Sequence, residues 1–212
     1  MVGETGAGGE IFIVDDDPAI CTMLSIVLSR EGFHATCFSD GASLLAATRA
    51  RTPACIVLDV HIPGRSGLDI LKELNAQNYP APIFIMSGHG DIPMAVDAIR
   101  HGAFDFVEKP FRGSEIVAHV REAIDALARR RANEKTSAKP AFHLPADREP
   151  LTPRESEVLA QFVEGASNKE AGRQLGISPR TIEVHRARIM EKLGAKNIAD
   201  VIRIVMSEKP AT

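Results

Sequence analysis

The sequence predicts an α/β domain built on a doubly wound, five-stranded parallel sheet, followed by a small all-α domain. Three observations carry this reading. Five short apolar runs in the first part of the chain are separated by segments of helical spacing, the pattern of βαβ units. A polar, proline-punctuated stretch then interrupts it. Beyond that stretch come four short segments with helix-start and helix-stop signals and no strand pattern.

The apolar runs are Ile11–Val14, His34–Phe38, Cys55–Leu58, Ile83–Met86 and Phe104–Val107. They are nearly continuous rather than alternating, as expected of strands buried on both faces. Helical spacing joins Ile20, Met23, Leu24, Val27 and Leu28, then Leu68, Leu71 and Leu74, then Met94, Ala95, Ala98 and Ile99. Asp17-Pro18 reads as an acidic N-cap with proline at the first helical position, and Gly32 stands where a C′ glycine belongs. Asp91-Ile92-Pro93 and Gly113-Ser114 are further helix starts, and His101-Gly102 is a stop. An apolar stripe of Ile116, Val120, Ala123, Ile124 and Leu127 ends the first domain.

From Ala126 to Pro150 the chain turns polar and is punctuated by Pro140, Pro145 and Pro150, the texture of a linker. We therefore expect domains at 1–128 and 150–212, joined by a helix extension and linker over 129–149, with the first nine residues flexible. In the back domain Thr152-Pro153-Arg154-Glu155 is a capped helix start, closed by Gly165. Ser167-Asn168-Lys169-Glu170 opens a second helix that closes at Leu175-Gly176. Ser178-Pro179-Arg180-Thr181 opens a third, running to Leu193-Gly194, and Asn197 opens a fourth. Two short helices joined by a tight glycine-containing turn make a helix-turn-helix.

Composition narrows the class. A chain of 212 residues with 44% hydrophobic and 25% charged side chains has enough apolar material for packed cores, which excludes wholesale disorder. No apolar run approaches the ~18 residues of a membrane span. The N-terminus carries no basic, apolar leader, so we expect a cytoplasmic protein with no membrane partner. Cys21, Cys37 and Cys55 are too few and scattered for a disulfide framework, and each is expected to be a small buried hydrophobe. The net charge of −3 divides into −6 over residues 1–130 and +2 over 150–212. Only the back domain is a candidate for touching nucleic acid.

In a doubly wound sheet, ligands bind outside the carboxyl ends of the strands. Asp15 and Asp16 follow the first strand, Asp59 the third, Ser87 the fourth, and Lys109 the fifth, ahead of Pro110. Three converging carboxylates repel one another, and a hard divalent cation such as Mg²⁺ relieves that repulsion. A carboxylate beside a metal and an ammonium is suited to nucleophilic attack on a phosphoryl group. An N-cap alone would explain Asp15–Asp17, but not the matching groups at four successive strand ends.

These residues carry a resemblance. Residues 10–125 resemble the receiver domain, a flavodoxin-like fold, of two-component response regulators. The resemblance lies in Ile-Val-Asp-Asp-Asp (13–17), Val-Leu-Asp-Val-His-Ile-Pro-Gly (57–64), Ser-Gly-His-Gly-Asp-Ile-Pro-Met-Ala (87–95) and Phe-Asp-Phe-Val-Glu-Lys-Pro-Phe (104–111). The last two stretches resemble the FixJ subgroup. The resemblance implies that Asp59 accepts phosphate from a sensor histidine kinase. It also implies that Asp15 and Asp16, with Asp59 and the backbone carbonyl of His61, hold Mg²⁺. Lys109 would contact the phosphoryl group, and Ser87 with Phe106 would form a switch that remodels the face around 91–107. The His61 ring either hinders water attack on the phosphate or is a bystander.

A helical wheel of the third back-domain helix places Ile182, Ile189 and Leu193 on one side. Arg180, Val184, Ala187, Arg188 and Glu191 lie opposite, on the face able to enter a major groove. Lys169, Arg173, Arg186, Lys192 and Lys196 are candidate phosphate contacts, and the helix start at Asn168 offers backbone N–H donors. Residues 151–159, 165–170 and 175–186, continued by Leu-Gly-Ala-Lys (193–196), resemble a LuxR-type helix-turn-helix. That resemblance implies base contacts at Glu183, Val184 and Ala187, further contacts at Asn168 and Thr181, a supporting role for Glu155, and dimerisation through Asn197–Met206. Some relatives carry lysine in place of Glu183 and Ala187, so their target sequence does not transfer.

The expectation is a phosphorylation-switched transcription regulator, FixJ/NarL-like, with a histidine kinase, double-stranded promoter DNA, RNA polymerase and a second copy of itself as partners. It would be no enzyme beyond phosphoryl transfer onto its own Asp59. Two rivals make different demands. A Mg²⁺-dependent phosphohydrolase would want Asp-x-Asp-Gly-Thr, which is absent. A ligand-sensing LuxR-type regulator would want a sensory pocket where the acidic pattern stands.

Overall fold

The computed structural model describes residues 9–88, 92–134 and 148–207. The expected flexible start, the helix start at Asp91 and most of the expected linker fall outside the described residues. The chain divides into two compact units, residues 1–124 and 125–212.

The first unit is a parallel five-stranded sheet. Its strands are β1 (Glu10–Val14), β2 (His34–Phe38), β3 (Cys55–Asp59), β4 (Ile83–Ser87) and β5 (Asp105–Glu108). Their order is β2-β1-β3-β4-β5, so the chain winds from the centre to one edge and then reverses to the other. The switch point between β1 and β3 is where this topology opens a crevice. Helices α1 (Pro18–Arg30), α2 (Gly41–Ala50), α3 (Gly67–Glu73) and α4 (Ile92–Arg100) make the crossovers, and α5 (Gly113–Glu134) follows the last strand.

Local chemistry explains the elements. Asp17 caps α1 by accepting from the Ala19 amide at 2.8 Å, and Pro18 occupies the first turn. Strands β3 and β4 are buried at every position, which is why their sequences carry no alternation. One core cluster gathers Ile11 and Ile13 of β1, Leu24 and Leu28 of α1, Val57 of β3, Phe84 and Met86 of β4, and Ile116, Val120 and Ala123 of α5. The stripe read from α5 is therefore core packing.

Some expectations are corrected. Phe104 precedes β5 rather than starting it, and Asp59 and Ser87 are the last residues of their strands. A two-residue antiparallel ladder, His61–Ile62 with Arg65–Ser66, had no sequence signal at all. Cys55 is buried as expected, but Cys37 is exposed and Cys21 half-buried. Apolar neighbours in sequence do not bury a residue on the edge strand β2, whose outer side has no partner strand among the described residues.

The second unit holds α6 (Pro153–Val163), α7 (Asn168–Leu175), α8 (Pro179–Leu193) and α9 (Ile198–Ser207). Thr152 with Glu155, and Ser167 with Glu170, form capping boxes. The turn between α7 and α8 depends on Gly176, at φ +68° in the left-handed region. Val158, Leu159, Ala171, Ile182, Ile189, Leu193 and Val201 are fully buried and form the trihelical core with its trailing helix.

His185 of α8 also lies in that core. Its Nε2 makes no hydrogen bond among the described residues. Burial, assisted by the Arg154 guanidinium, lowers its pKa to about 3. The unfolded chain binds the proton near pH 6.5 and the folded one does not, so this contribution is complete above about 6.5 and is lost as pH falls toward 3. We expect urea unfolding of this unit to weaken by about 1.4 kcal/mol per pH unit below 6.5. His185→Gln should flatten that slope between pH 7 and 5. An unchanged slope would place the titration elsewhere.

Candidate phosphoryl site and nucleic-acid interface

The carboxyl ends of β1, β3 and β5 bring Asp15, Asp59 and Lys109 together. Lys109 Nζ donates to Asp15 Oδ2 at 2.8 Å and to Asp59 Oδ2 at 2.6 Å. Asp15 and Asp59 are buried, and Asp16 is exposed at the rim. One oxygen from each of the three carboxylates lies within 4.8 Å of the others. Burial on its own would favour a neutral Lys109. Hydrogen bonds and charge attraction from Asp15 and Asp59 outweigh it, and its pKa stands above the ordinary lysine value. The site thus places the Lys109 ammonium between two buried carboxyl groups.

Backbone groups fix the second oxygen of each acid. Asp15 Oδ1 accepts from the Asp17 amide at 2.9 Å, and Asp59 Oδ1 from the His61 amide at 3.2 Å. Each inner carboxylate therefore has one oxygen tied to its own loop and one aimed at the ammonium. Lys109 is held in turn by its own amide, which donates to the Ser87 carbonyl at 2.6 Å. Ser87 is buried at the end of β4, one position past the partner of Asp59 in the β3–β4 register. Phe106 is buried on β5, paired with Ile85. His61 is exposed on the small ladder.

Gly67 contributes something sequence reading missed. A Cβ at this position would sit 2.4 Å from the Asp59 carbonyl oxygen. Only glycine lets the start of α3 abut the backbone of Asp59, and its amide donates to the Val60 carbonyl at 2.8 Å. No local pattern marks such an approach, because the contact is between backbones.

In the helical unit, the wheel separates the faces of α8 as expected. Ile182, Ile189 and Leu193 are fully buried, while Glu183 and Ala187 are exposed and Arg180, Val184, Arg186 and Arg188 are half-exposed. Lys169 is exposed at the start of α7, and Asn168 Nδ2 donates to Glu183 Oε1 at 3.4 Å. Arg188 pairs with Glu191 at 2.9 Å.

Two expected DNA contacts are corrected. Thr181 is fully buried, its hydroxyl accepting from Ser178 Oγ at 3.1 Å. Lys192 is buried too, donating to Glu155 Oε2 at 2.9 Å and to the Pro150 carbonyl at 3.0 Å. Neither side chain is free to meet a phosphate. The same Glu155 oxygen accepts from the Thr152 amide at 2.7 Å, so one carboxylate caps α6 and anchors α8. Arg154 Nη2 donates to the Leu175 carbonyl at 2.8 Å, tying α6 to the C-terminal end of α7. The Glu155 tie to α8, across 37 residues, gives the supporting role that the resemblance implied, whereas sequence reading missed the Arg154 tie, whose partner lies 21 residues away.

Comparison with known proteins matches each unit to a family. Residues 11–121 match the response regulator receiver domain, and residues 149–205 the luxR family of bacterial regulatory proteins. The transcriptional regulatory protein FixJ of Bradyrhizobium diazoefficiens is 40% identical over 198 residues, covering 93% of this chain and 95% of that protein. The response regulator protein TmoT of Ectopseudomonas mendocina is 38% identical, covering 92% of this chain and 86% of the other. The crystal structure of full-length FixJ from B. japonicum aligns with a TM-score of 0.56 at 39% identity, covering 93% and 96%. The chain belongs to the response regulators that join a receiver domain to a LuxR-type helix-turn-helix, the DNA-binding regulators of two-component systems.

Proposed function

We propose that Asp59 takes a phosphoryl group from a histidine kinase, and that this switches dimerisation and promoter binding through the helix-turn-helix. The observation that carries the reading is Lys109 bridging Asp15 and Asp59 in a buried carboxylate cluster. An all-oxygen donor set of Asp15, Asp16, Asp59 and the His61 carbonyl suits Mg²⁺, which when bound supplies charge neutralisation for the incoming phosphoryl group.

The protein's own groups do the rest. An Asp59 carboxylate oxygen attacks phosphorus as the bond to the donor imidazole breaks, giving an acyl phosphate. Lys109 is placed to neutralise a phosphoryl oxygen. The Ser87 hydroxyl, at the neighbouring strand end, binds another, and Phe106 follows it. The chain acts on no external substrate and stays with its DNA in the cytoplasm. Paired copies present two α8 helices to a two-fold site, and the second binding event gains from effective concentration. Contact with RNA polymerase then converts occupancy into transcriptional control. The exposed face of Glu183, Val184 and Ala187 reads bases, and Lys169, Arg180, Arg186 and Arg188 position the helix on phosphates.

The test is gel retardation of promoter DNA by the full chain, with Mg²⁺ and a phosphodonor. Wild type should gain at least about tenfold in affinity, and Asp59→Asn should gain nothing. Catalytic turnover of phosphate monoesters without a stoichiometric phosphoprotein would overturn the reading in favour of a phosphohydrolase.

A further inference from the structure

We infer, resting on the promoter binding proposed for this unit, that Glu183 selects a C·G base pair by accepting a hydrogen bond from the cytosine N4 amino group, and that Asn168 positions its carboxylate. Glu183 is the fifth residue of α8 and is exposed. The fully buried Ile182 and Ile189 fix which face of α8 points inward, and Glu183 lies off that face. In a helix-turn-helix, the N-terminal residues of the second helix meet base edges in the major groove. Ala187, one turn further on, is also exposed and is too small to hold α8 away from the groove floor.

The carboxylate is held from one side. Asn168, the first residue of α7, donates from Nδ2 to Glu183 Oε1 at 3.4 Å. The capping box of Ser167 with Glu170 fixes the turn that carries Asn168. Among the described residues, Glu183 Oε2 accepts no hydrogen bond and no cation pairs with either oxygen. Asn168 therefore acts through Glu183: it occupies one oxygen and leaves the other for the base.

A lone carboxylate on a face that meets a polyanion costs affinity on every sequence. That cost is offset only where a base edge supplies a donor, because an ionised carboxylate accepts and never donates. Guanine presents N7 and O6 in the major groove and thymine presents O4, all acceptors, so both repel Glu183. Adenine has an amino group, but the N7 acceptor stands beside it. Cytosine presents its N4 amino group as a donor. Glu183 thus selects by exclusion as much as by attraction. A lysine at this position would favour guanine instead.

The experiment selects random double-stranded DNA with the full chain, with and without acetyl phosphate and Mg²⁺, and sequences the bound pool. Wild type should enrich a C at one position of each half-site, and replacing that C·G pair should weaken binding about 5- to 150-fold. Glu183→Gln should enrich A at the same position, since an amide pairs with adenine N6 and N7, and leave the other positions unchanged. Asn168→Ala should keep the C with a smaller preference, at unchanged affinity for non-specific DNA. A switch from C to A supports the assignment with or without the phosphodonor, whereas dependence of binding on the phosphodonor tests the proposed switch separately. The same base enriched by wild type and Glu183→Gln would overturn the role of Glu183. An equal loss by Asn168→Ala on every sequence would overturn that of Asn168. Failure of all three proteins to enrich any sequence would overturn promoter binding along with both.

Discussion

Glu155→Ala is expected to cost the helix-turn-helix unit about 3–5 kcal/mol, the range for removing one partner of a buried ion pair. Among the described residues, Lys192 would keep only the Pro150 carbonyl and Glu149, whose side chain is 55% exposed, 3.1 Å away. Half of the capping box of α6 would be lost as well, because Thr152 gives its amide to the same oxygen, while the Thr152 hydroxyl still accepts from the amide of residue 155. Small domains hold roughly 5–15 kcal/mol in total, so the variant should be partly unfolded at 37 °C. Replacing both members with methionine removes the stranded charge. Glu155→Met with Lys192→Met should cost only about 1 kcal/mol, the worth of the hydrogen bond that the Thr152 amide loses. Urea titrations of the four proteins give the coupling directly. Additive single and double losses would mean that the bridge is structurally idle.

Lys109→Ala should separate stability from chemistry. Without the ammonium, Asp15 and Asp59 face one another with no cation between them. Millimolar Mg²⁺ should restore thermal stability, because a second positive charge answers the same repulsion. It should not restore phosphotransfer, which we expect to stay ~10²–10³ lower, as when one preorganised donor to a developing charge is deleted. A variant with full transfer rate would remove Lys109 from the chemistry and leave it a counter-ion.

Much of this was legible because the chemistry sits where the chain is most regular. Asp15, Asp59, Ser87 and Lys109 end or directly follow the strands, so recognising the strands located the site. The same logic worked on α8, where Ile182, Ile189 and Leu193 recur at helical spacing and are fully buried. It failed where burial depends on a distant partner. Lys192 reads as a surface cation, yet Glu155 of another helix draws it into the interior. Thr181 reads as a polar residue in the first turn of a recognition helix, and it is buried. Cys37 reads as core, but topology puts its strand at an edge. Gly67 carried no signal, because what it avoids is the carbonyl of Asp59.

The most direct measurement locates the phosphoryl group. The chain is phosphorylated by its kinase, the acyl phosphate is reduced with borohydride, and the peptide spanning β3 is sequenced by mass spectrometry. Conversion of residue 59 to homoserine, dependent on the kinase and on Mg²⁺, is the result expected. Reduction at position 15 or 16, or a phosphate stable to borohydride on a hydroxyl side chain, would contradict it.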